Sequence, residues 1–113
     1  MGKFNEWVRR YESRTEPYGL EPGFTLYFEP ENGFLTYAVL GDCLVLDHTC
    51  CERMDWAHAI AKRLATENRC HFIGTQTMRN PAAFCRHSHG HLDIEKSGYR
   101  KNGIWYWVFE ERI

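Results

Sequence analysis

The spacing of apolar positions predicts a helix at the start of the chain and a group of strands after it. The helix is indicated by apolar residues at the spacing i, i+3, i+4, i+7: Phe4, Trp7, Val8 and Tyr11. Pro and Gly residues between positions 17 and 23 then interrupt the chain. Residues 24–29, 34–40 and 43–51 are rich in apolar and aromatic side chains and are separated by short turns. This pattern predicts an antiparallel meander of three strands.

A second helix is predicted after the meander. Asp55 is its predicted N-cap, and the helix is expected to end near Asn68. Its buried stripe is predicted to consist of Trp56, Ile60, Ala61, Leu64 and Ala65. Residues 71–77 then predict a strand that follows a helix that follows a strand, and this order favours parallel pairing.

The last third of the chain predicts one more helix and two strands. Asn80 and Pro81 are typical of a helix start, so a helix is expected over 81–89. Residues 92–99 predict a strand, and residues 104–110 predict the last one. The last strand is apolar on both faces: Ile104, Tyr106 and Val108 on one, Trp105, Trp107 and Phe109 on the other. Such a strand is either central in a sheet or faces a partner.

The predicted element order is therefore α-β-β-β-α-β-α-β-β over a single domain, residues 1–113. This order predicts an α/β (α+β) fold, with a mixed, mostly antiparallel sheet of about six strands flanked by three helices.

Charge and composition narrow the classes of function. The net charge is −1 with acids and bases interspersed, whereas a dedicated nucleic-acid-binding protein usually has a basic surplus. No apolar run reaches membrane-spanning length, and the first residues are too polar for a signal peptide. We therefore expect a cytoplasmic protein that binds neither nucleic acid nor membrane, and whose five cysteines are reduced thiols.

The segment 84–91, FCRHSHGH, carries a cysteine and three histidines at every second position. On a strand these side chains would share a face and could bind a metal ion. On the predicted helix only Cys85 and His89 would share a face, and two ligands are too few for a structural zinc ion. No native metal is therefore expected. The alternative is a thiol or metal protein that also uses Cys50 and Cys51.

Two stretches of the sequence resemble the GCN5-related N-acetyltransferase (GNAT) superfamily. In WAHAIAKRL, residues 56–64 are similar to the R-G-x-G-I-G-x-x-L form of the loop and helix start that bind the pyrophosphate of acetyl-CoA. Trp56 stands where Gln or Arg is usual, and Ala59 and Ala61 stand in the glycine positions. In NPAAFCRHSHGH, Asn80 to Ala83 match the N-P-A-A opening of a later helix in that superfamily.

The resemblance implies a domain that binds acetyl-CoA or CoA and transfers the acetyl group to a small or protein amine acceptor. The implied CoA contacts lie in both stretches and in the preceding strand: Cys50, Cys51, Trp56, Ala57, His58, Ala59, Ile60, Ala61, Asn80 and Phe84. His87 falls at the position of the tyrosine that often protonates the leaving thiolate. His48 and Glu52 are the further candidates for acid–base chemistry.

Two departures from the superfamily keep a second interpretation open. The glycines of the loop are replaced by alanine, and the N-terminal part is short of one strand and one helix. The alternative is a non-catalytic interaction protein on the same fold, forming a homodimer through Trp105, Trp107 and Phe109.

Overall fold

The computed structural model describes residues 2–77, 91–99, 103 and 105–113. Within them the chain forms two helices and six strands: α1 (Gly2–Glu12), β1 (Thr25–Glu29), β2 (Gly33–Leu40), β3 (Cys43–Cys51), α2 (Met54–Glu67), β4 (Phe72–Thr77), β5 (His91–Tyr99) and β6 (Trp105–Arg112). These elements match the predicted ones in type and order. The predicted helix over 81–89 lies outside the described residues.

All six strands belong to one sheet with the order β1-β2-β3-β4-β6-β5. The β3–β4 pair is parallel, as predicted, and the other four pairs are antiparallel. The last strand, β6, lies between β4 and β5, so its double-sided apolar pattern belongs to a central strand. The predicted α+β fold with a mixed, mostly antiparallel sheet is confirmed.

The two helices pack on opposite faces of this sheet, because successive residues of a strand point to opposite sides. Phe34 in β2 packs with Trp7 and Tyr11 of α1. Its neighbour Leu35 packs instead with the apolar stripe of α2, which comprises Ala57, Ile60, Ala61, Leu64 and Ala65. The apolar face of each helix thus covers one side of the meander.

A β-bulge in β3 changes which face its side chains occupy. Leu35 pairs with Thr49 and Tyr37 pairs with Leu46, so two residues of β3 oppose Thr36 alone. The extra residue shifts the alternation by one position. Leu44 and Leu46, before the bulge, therefore contact the α2 core, whereas Cys50, after it, lies in the α1 core.

The start of β2 needs a glycine. Gly33 has a φ of +137°, and a Cβ built there would overlap the carbonyl oxygen of Cys50 and lie 2.6 Å from the Cα of Cys51. Only glycine tolerates both the positive φ and the close approach of the β3 backbone. Gly33 therefore fixes how the ends of β2 and β3 meet, next to the turn into α2.

We expect Gly33→Ala to destabilise the protein by more than about 3 kcal/mol, since it adds backbone strain and a clash with main-chain atoms that cannot move aside cheaply. Denaturant unfolding measures the change. Gly19→Ala is the matched control, because a Cβ at Gly19 meets nothing within 4 Å. A change in free energy of unfolding at Gly33 as small as at Gly19 would contradict this interpretation.

Candidate functional site

The pairing between the parallel strands β3 and β4 covers only part of each strand. Their pairing runs from Cys43 opposite Phe72 to Leu46 opposite Thr75, and within the described residues it ends there. The rest of β3, Asp47–Cys51, continues along β2 and leads into α2 after two residues. A gap between strand ends that opens beside a helix N-terminus is a common place for ligands in sheets with parallel strands.

The N-terminus of α2 offers two backbone N–H groups to a ligand. Arg53 is the N-cap, so the prediction that Asp55 caps this helix is wrong. The helix begins earlier, and the Asp55 carboxylate accepts a hydrogen bond from the N–H of Trp56 at 3.0 Å. Within the described part of the chain, no acceptor is recorded for the N–H groups of Met54 and Asp55. Such N–H groups and the helix dipole favour an anion.

The residues predicted to form the pyrophosphate loop lie inside α2 instead. Ala59 and Ala61, which stand in the glycine positions, are more than one turn past the helix start, so their N–H groups are bonded within the helix. Ala57, Ile60 and Ala61 face the core. The prediction of a loop at these four positions is therefore wrong, because an alanine-rich segment favours a helix and α2 already begins at Met54.

The two larger side chains of that segment hold α2 in place. The indole N–H of Trp56 donates a hydrogen bond to Glu29 of β1 at 3.2 Å. His58 Nε2 lies 2.7 Å from Glu111 of β6. Both side chains therefore connect the helix to opposite parts of the sheet.

Glu52, a predicted acid–base residue, is paired with α1. Its carboxylate accepts two hydrogen bonds from the Arg10 guanidinium, at 2.7 and 3.3 Å. The hydrogen bond and the charge of Arg10 lower the pKa of Glu52. A carboxylate with a lowered pKa is a weaker base, so the structure gives Glu52 a role in anchoring α1 to the strand end.

The two cysteines at the end of β3 have the environment of ordinary core residues. Cys50 is buried with Phe34 and Trp7. Burial raises the pKa of Cys51 to about 11, and its thiol contacts the sulfur of Met54 at 3.9 Å. A thiol with that pKa remains protonated at neutral pH and is a poor nucleophile.

His48 forms the centre of a polar cluster on the α1 side of the bulge. Its side chain is 6% exposed. Its Nδ1 shares a hydrogen bond with the Tyr11 hydroxyl at 2.5 Å, and Glu16 approaches the same nitrogen to 3.4 Å. Asp47 lies 3.5 Å from the other ring nitrogen, Nε2. Two carboxylates therefore approach the imidazole, each next to a different nitrogen.

The backbone at the bulge is held by a buried hydroxyl. Thr36, which opposes the extra residue, accepts a hydrogen bond from the N–H of His48 at 2.9 Å. This bond replaces the sheet hydrogen bond that a bulge leaves unmade. Thr36 thereby fixes the direction in which His48 leaves the strand.

Negative charge is concentrated around Asp47. Its side chain is 17% exposed, and burial raises its pKa. The carboxylates of Glu16 and Glu21 raise this pKa further, while His48 lowers it. Burial and the neighbouring acids therefore both oppose the charged form of Asp47.

His48 was predicted from the sequence as a functional residue, whereas the other members of this cluster, Tyr11, Glu16, Thr36 and Asp47, were not. Tyr11 is separated from His48 by 37 residues, so no local spacing reveals the contact. A signal was present in the DHT segment at 47–49, where polar residues interrupt an otherwise apolar strand.

The remaining predicted residues lie in the last third of the chain, and the side chains of Trp105 and Trp107 are among those that the structure does not describe. Asn80, Phe84, Cys85, His87 and His89 lie outside the described residues. Phe109 is described and is 1% exposed. The prediction that Phe109 belongs to an exposed homodimer surface is therefore wrong, because its side chain is used within the fold.

We expect Cys51 in the native protein to react with iodoacetamide at pH 8 at least about tenfold more slowly than an ordinary cysteine, because a pKa of about 11 leaves little thiolate. Peptide mapping after timed labelling gives the rate, and the same protein unfolded in denaturant is the control. Labelling of Cys51 at equal rates in the folded and unfolded protein would show that its thiol is activated or freely exposed.

Comparisons with known proteins inform the fold. No protein-family model matches the sequence, and no curated protein matches it. Among solved structures, the 1.9 Å crystal structure of an acetyltransferase from Bacillus cereus ATCC 14579 matches with a TM-score of 0.52 and 16% sequence identity. The match covers 96% of this chain and 87% of that chain.

Neither described helix has the length and apolar character needed to span a membrane.

The structural match extends over nearly the whole chain, so it applies to the sheet and both helices together. At this level of identity the match concerns the fold and not the activity. The chain thus has an α+β fold similar to that of an acetyltransferase.

Proposed function

We propose that this protein is a divergent GNAT-like domain that binds acetyl-CoA, or CoA, and transfers the acetyl group to an amine. The observation that carries the proposal is the end of the β3–β4 pairing in the half of β3 that leads to the N-terminus of α2. The similarity of the whole fold to an acetyltransferase supports the same function.

The helix N-terminus supports the binding of the CoA phosphates. The N–H groups of Met54 and Asp55 and the positive end of the α2 dipole suit a pyrophosphate. The Asp55 carboxylate opposes an anion here, although its ion pair with Arg53 at 2.8 Å offsets part of its charge. The proposed phosphate site therefore lies about one turn before Ala59, the first of the two glycine positions that the resemblance indicated.

The separated half of β3 supports the binding of the thioester. Beyond Leu46 the β3 backbone borders the gap, where an N–H group could donate a hydrogen bond to the carbonyl oxygen of the acetyl group. Such a donor stabilises the oxyanion that forms when an amine attacks. The thioester carbonyl would then lie next to the bulge at Asp47 and His48.

Acid–base roles remain predictions. The attacking amine must lose a proton, and the leaving thiolate must gain one. Of the predicted residues, Glu52 is hydrogen-bonded to Arg10, and His87 lies outside the described residues. His48 lies in the part of β3 beyond its pairing with β4, and its Nε2 is 3.5 Å from Asp47. His48 thus stays a predicted candidate for acid–base chemistry, and His87 stays the predicted donor.

We expect acetyl-CoA to stabilise the protein against thermal unfolding. A ligand at about 100 times its dissociation constant adds about 2.7 kcal/mol to the free energy of unfolding, which is a shift of several degrees for a domain of this size. ATP and desulfo-CoA are the controls, since they share phosphates or the pantetheine arm but lack the thioester. The absence of a shift with both acetyl-CoA and CoA at millimolar concentration would contradict the proposed function.

We expect Met54→Pro to weaken acetyl-CoA binding by about tenfold, because proline removes one N–H that would donate to the charged phosphate. Proline is tolerated at the first helical position. Arg53 before it already has the extended backbone, φ −134° and ψ 127°, that a following proline requires.

Met54→Ala is the matched control, since it removes the side chain and keeps the N–H. Isothermal titration calorimetry measures both variants, and circular dichroism checks that α2 is intact. Equal affinity of the two variants would show that the phosphates do not contact this helix terminus, even if acetyl-CoA binds elsewhere.

A further inference from the structure

The buried imidazole of His48 has one nitrogen, Nε2, that is not hydrogen-bonded to any of the described residues. Nδ1 is paired with the Tyr11 hydroxyl. For Nε2, the closest charged group among the described residues is the Asp47 carboxylate at 3.5 Å, with no hydrogen bond recorded between them. A ring that is 94% buried seldom leaves a nitrogen without a partner, so this atom requires an explanation.

The Asp47 carboxylate, which is 3.5 Å from Nε2, also lacks a hydrogen bond to the described residues. The Asp47 side chain is mostly buried, and within the described part of the chain no hydrogen bond to its oxygens is recorded. Glu16 brings a second carboxylate to the same ring. One ligand atom of each of the three residues lies within 4.8 Å of the other two.

We propose that Glu16, Asp47 and His48 together bind one divalent transition-metal ion. An ion between Nε2 and the Asp47 carboxylate would give a partner to both atoms, and its charge would compensate the crowded acids. The site is separate from the proposed phosphate site at the N-terminus of α2, so it does not rest on the proposed function.

The geometry of the cluster suits such an ion. Metal–nitrogen and metal–oxygen bonds of about 2.0–2.2 Å place neighbouring ligand atoms a little over 3 Å apart. The Glu16 carboxylate lies 3.4 Å from Nδ1, and the Asp47 carboxylate lies 3.5 Å from Nε2. One ligand atom of each residue lies within 4.8 Å of the other two, so a rotation of the Glu16 side chain towards Nε2 would complete the arrangement.

The surroundings of His48 resemble the support that metal-binding histidines usually have. The second ring nitrogen of such a histidine is commonly hydrogen-bonded to a neighbouring group, which fixes the orientation of the ring. Tyr11 takes this place at Nδ1, and Thr36 fixes the backbone. Nε2 is thereby held towards Asp47 before any ion binds.

The ligand types narrow the choice of ion. One imidazole and two carboxylates suit Zn²⁺ or Mn²⁺, whereas Mg²⁺ prefers oxygen ligands alone. Three protein ligands also leave positions for water, which is typical of sites that are not purely structural.

The test uses protein without a His tag after chelator treatment. Calorimetry measures Zn²⁺ binding, and electron paramagnetic resonance measures free Mn²⁺; Mg²⁺ is the negative control. The variants Asp47→Asn and Glu16→Gln each remove one ligand charge at nearly constant volume. Circular dichroism checks their folding, so that lost binding is not confused with unfolding.

His71→Ala is the matched control, because His71 forms an exposed pair with Asp42 at 2.8 Å on another part of the surface. We expect one Mn²⁺ or Zn²⁺ per chain, at least tenfold weaker binding in the first two variants, and unchanged binding in His71→Ala. We also expect the ion to raise the unfolding midpoint of the wild type and not of Asp47→Asn.

The proposal is overturned if neither ion binds to the wild type. It is equally overturned if Asp47→Asn and Glu16→Gln bind as the wild type does, since the ion would then be held by thiols or surface histidines. The measurement is made without acetyl-CoA, so its result is independent of any acetyl transfer.

Discussion

The hydrogen bond from the N–H of His48 to the Thr36 hydroxyl holds the bulge on which the rest of the structure depends. The bulge inserts one residue into β3, and one residue is enough to exchange the two faces of a strand. Before it, Leu44 contributes to the α2 core. After it, Cys50 contributes to the α1 core, and His48 meets α1 through Tyr11. The same strand therefore completes two cores on opposite sides of the sheet.

The bulge also lies next to the point where β3 stops pairing with β4. Pairing between β3 and β4 ends at Leu46, one residue before the inserted segment. Increased twist at a bulge turns a strand away from its neighbour, so the separation of these strands has a local cause. The opening, the polar cluster and the start of α2 thus follow from one short segment of β3. A ligand site in this place uses strand and helix ends that the cores already hold rigid.

Much of the fold could be predicted from the sequence, because strand and helix periods are local properties. The meander, the helix ending near Asn68 and the parallel strand β4 were all predicted with nearly the observed bounds. The bulge could not be predicted: Leu44, Leu46, His48 and Cys50 alternate regularly, and a period of two places them all on one face. The break in that alternation comes from the pairing with β2, which local sequence does not encode.

The candidate site was predicted less completely, for two physical reasons. The polar cluster combines β3 with residues from α1 and the segment after it, and contacts over such separations leave no local pattern. The proposed phosphate site was placed too far along α2, because the alanine-rich segment fits both a modified loop and a helix interior. Backbone amide chemical shifts measured with increasing acetyl-CoA would test the central claim most directly. The proposed function predicts that the largest changes occur at Met54 and Asp55 and along residues 47–51. Changes confined to other parts of the sheet, or no changes at all, would contradict it.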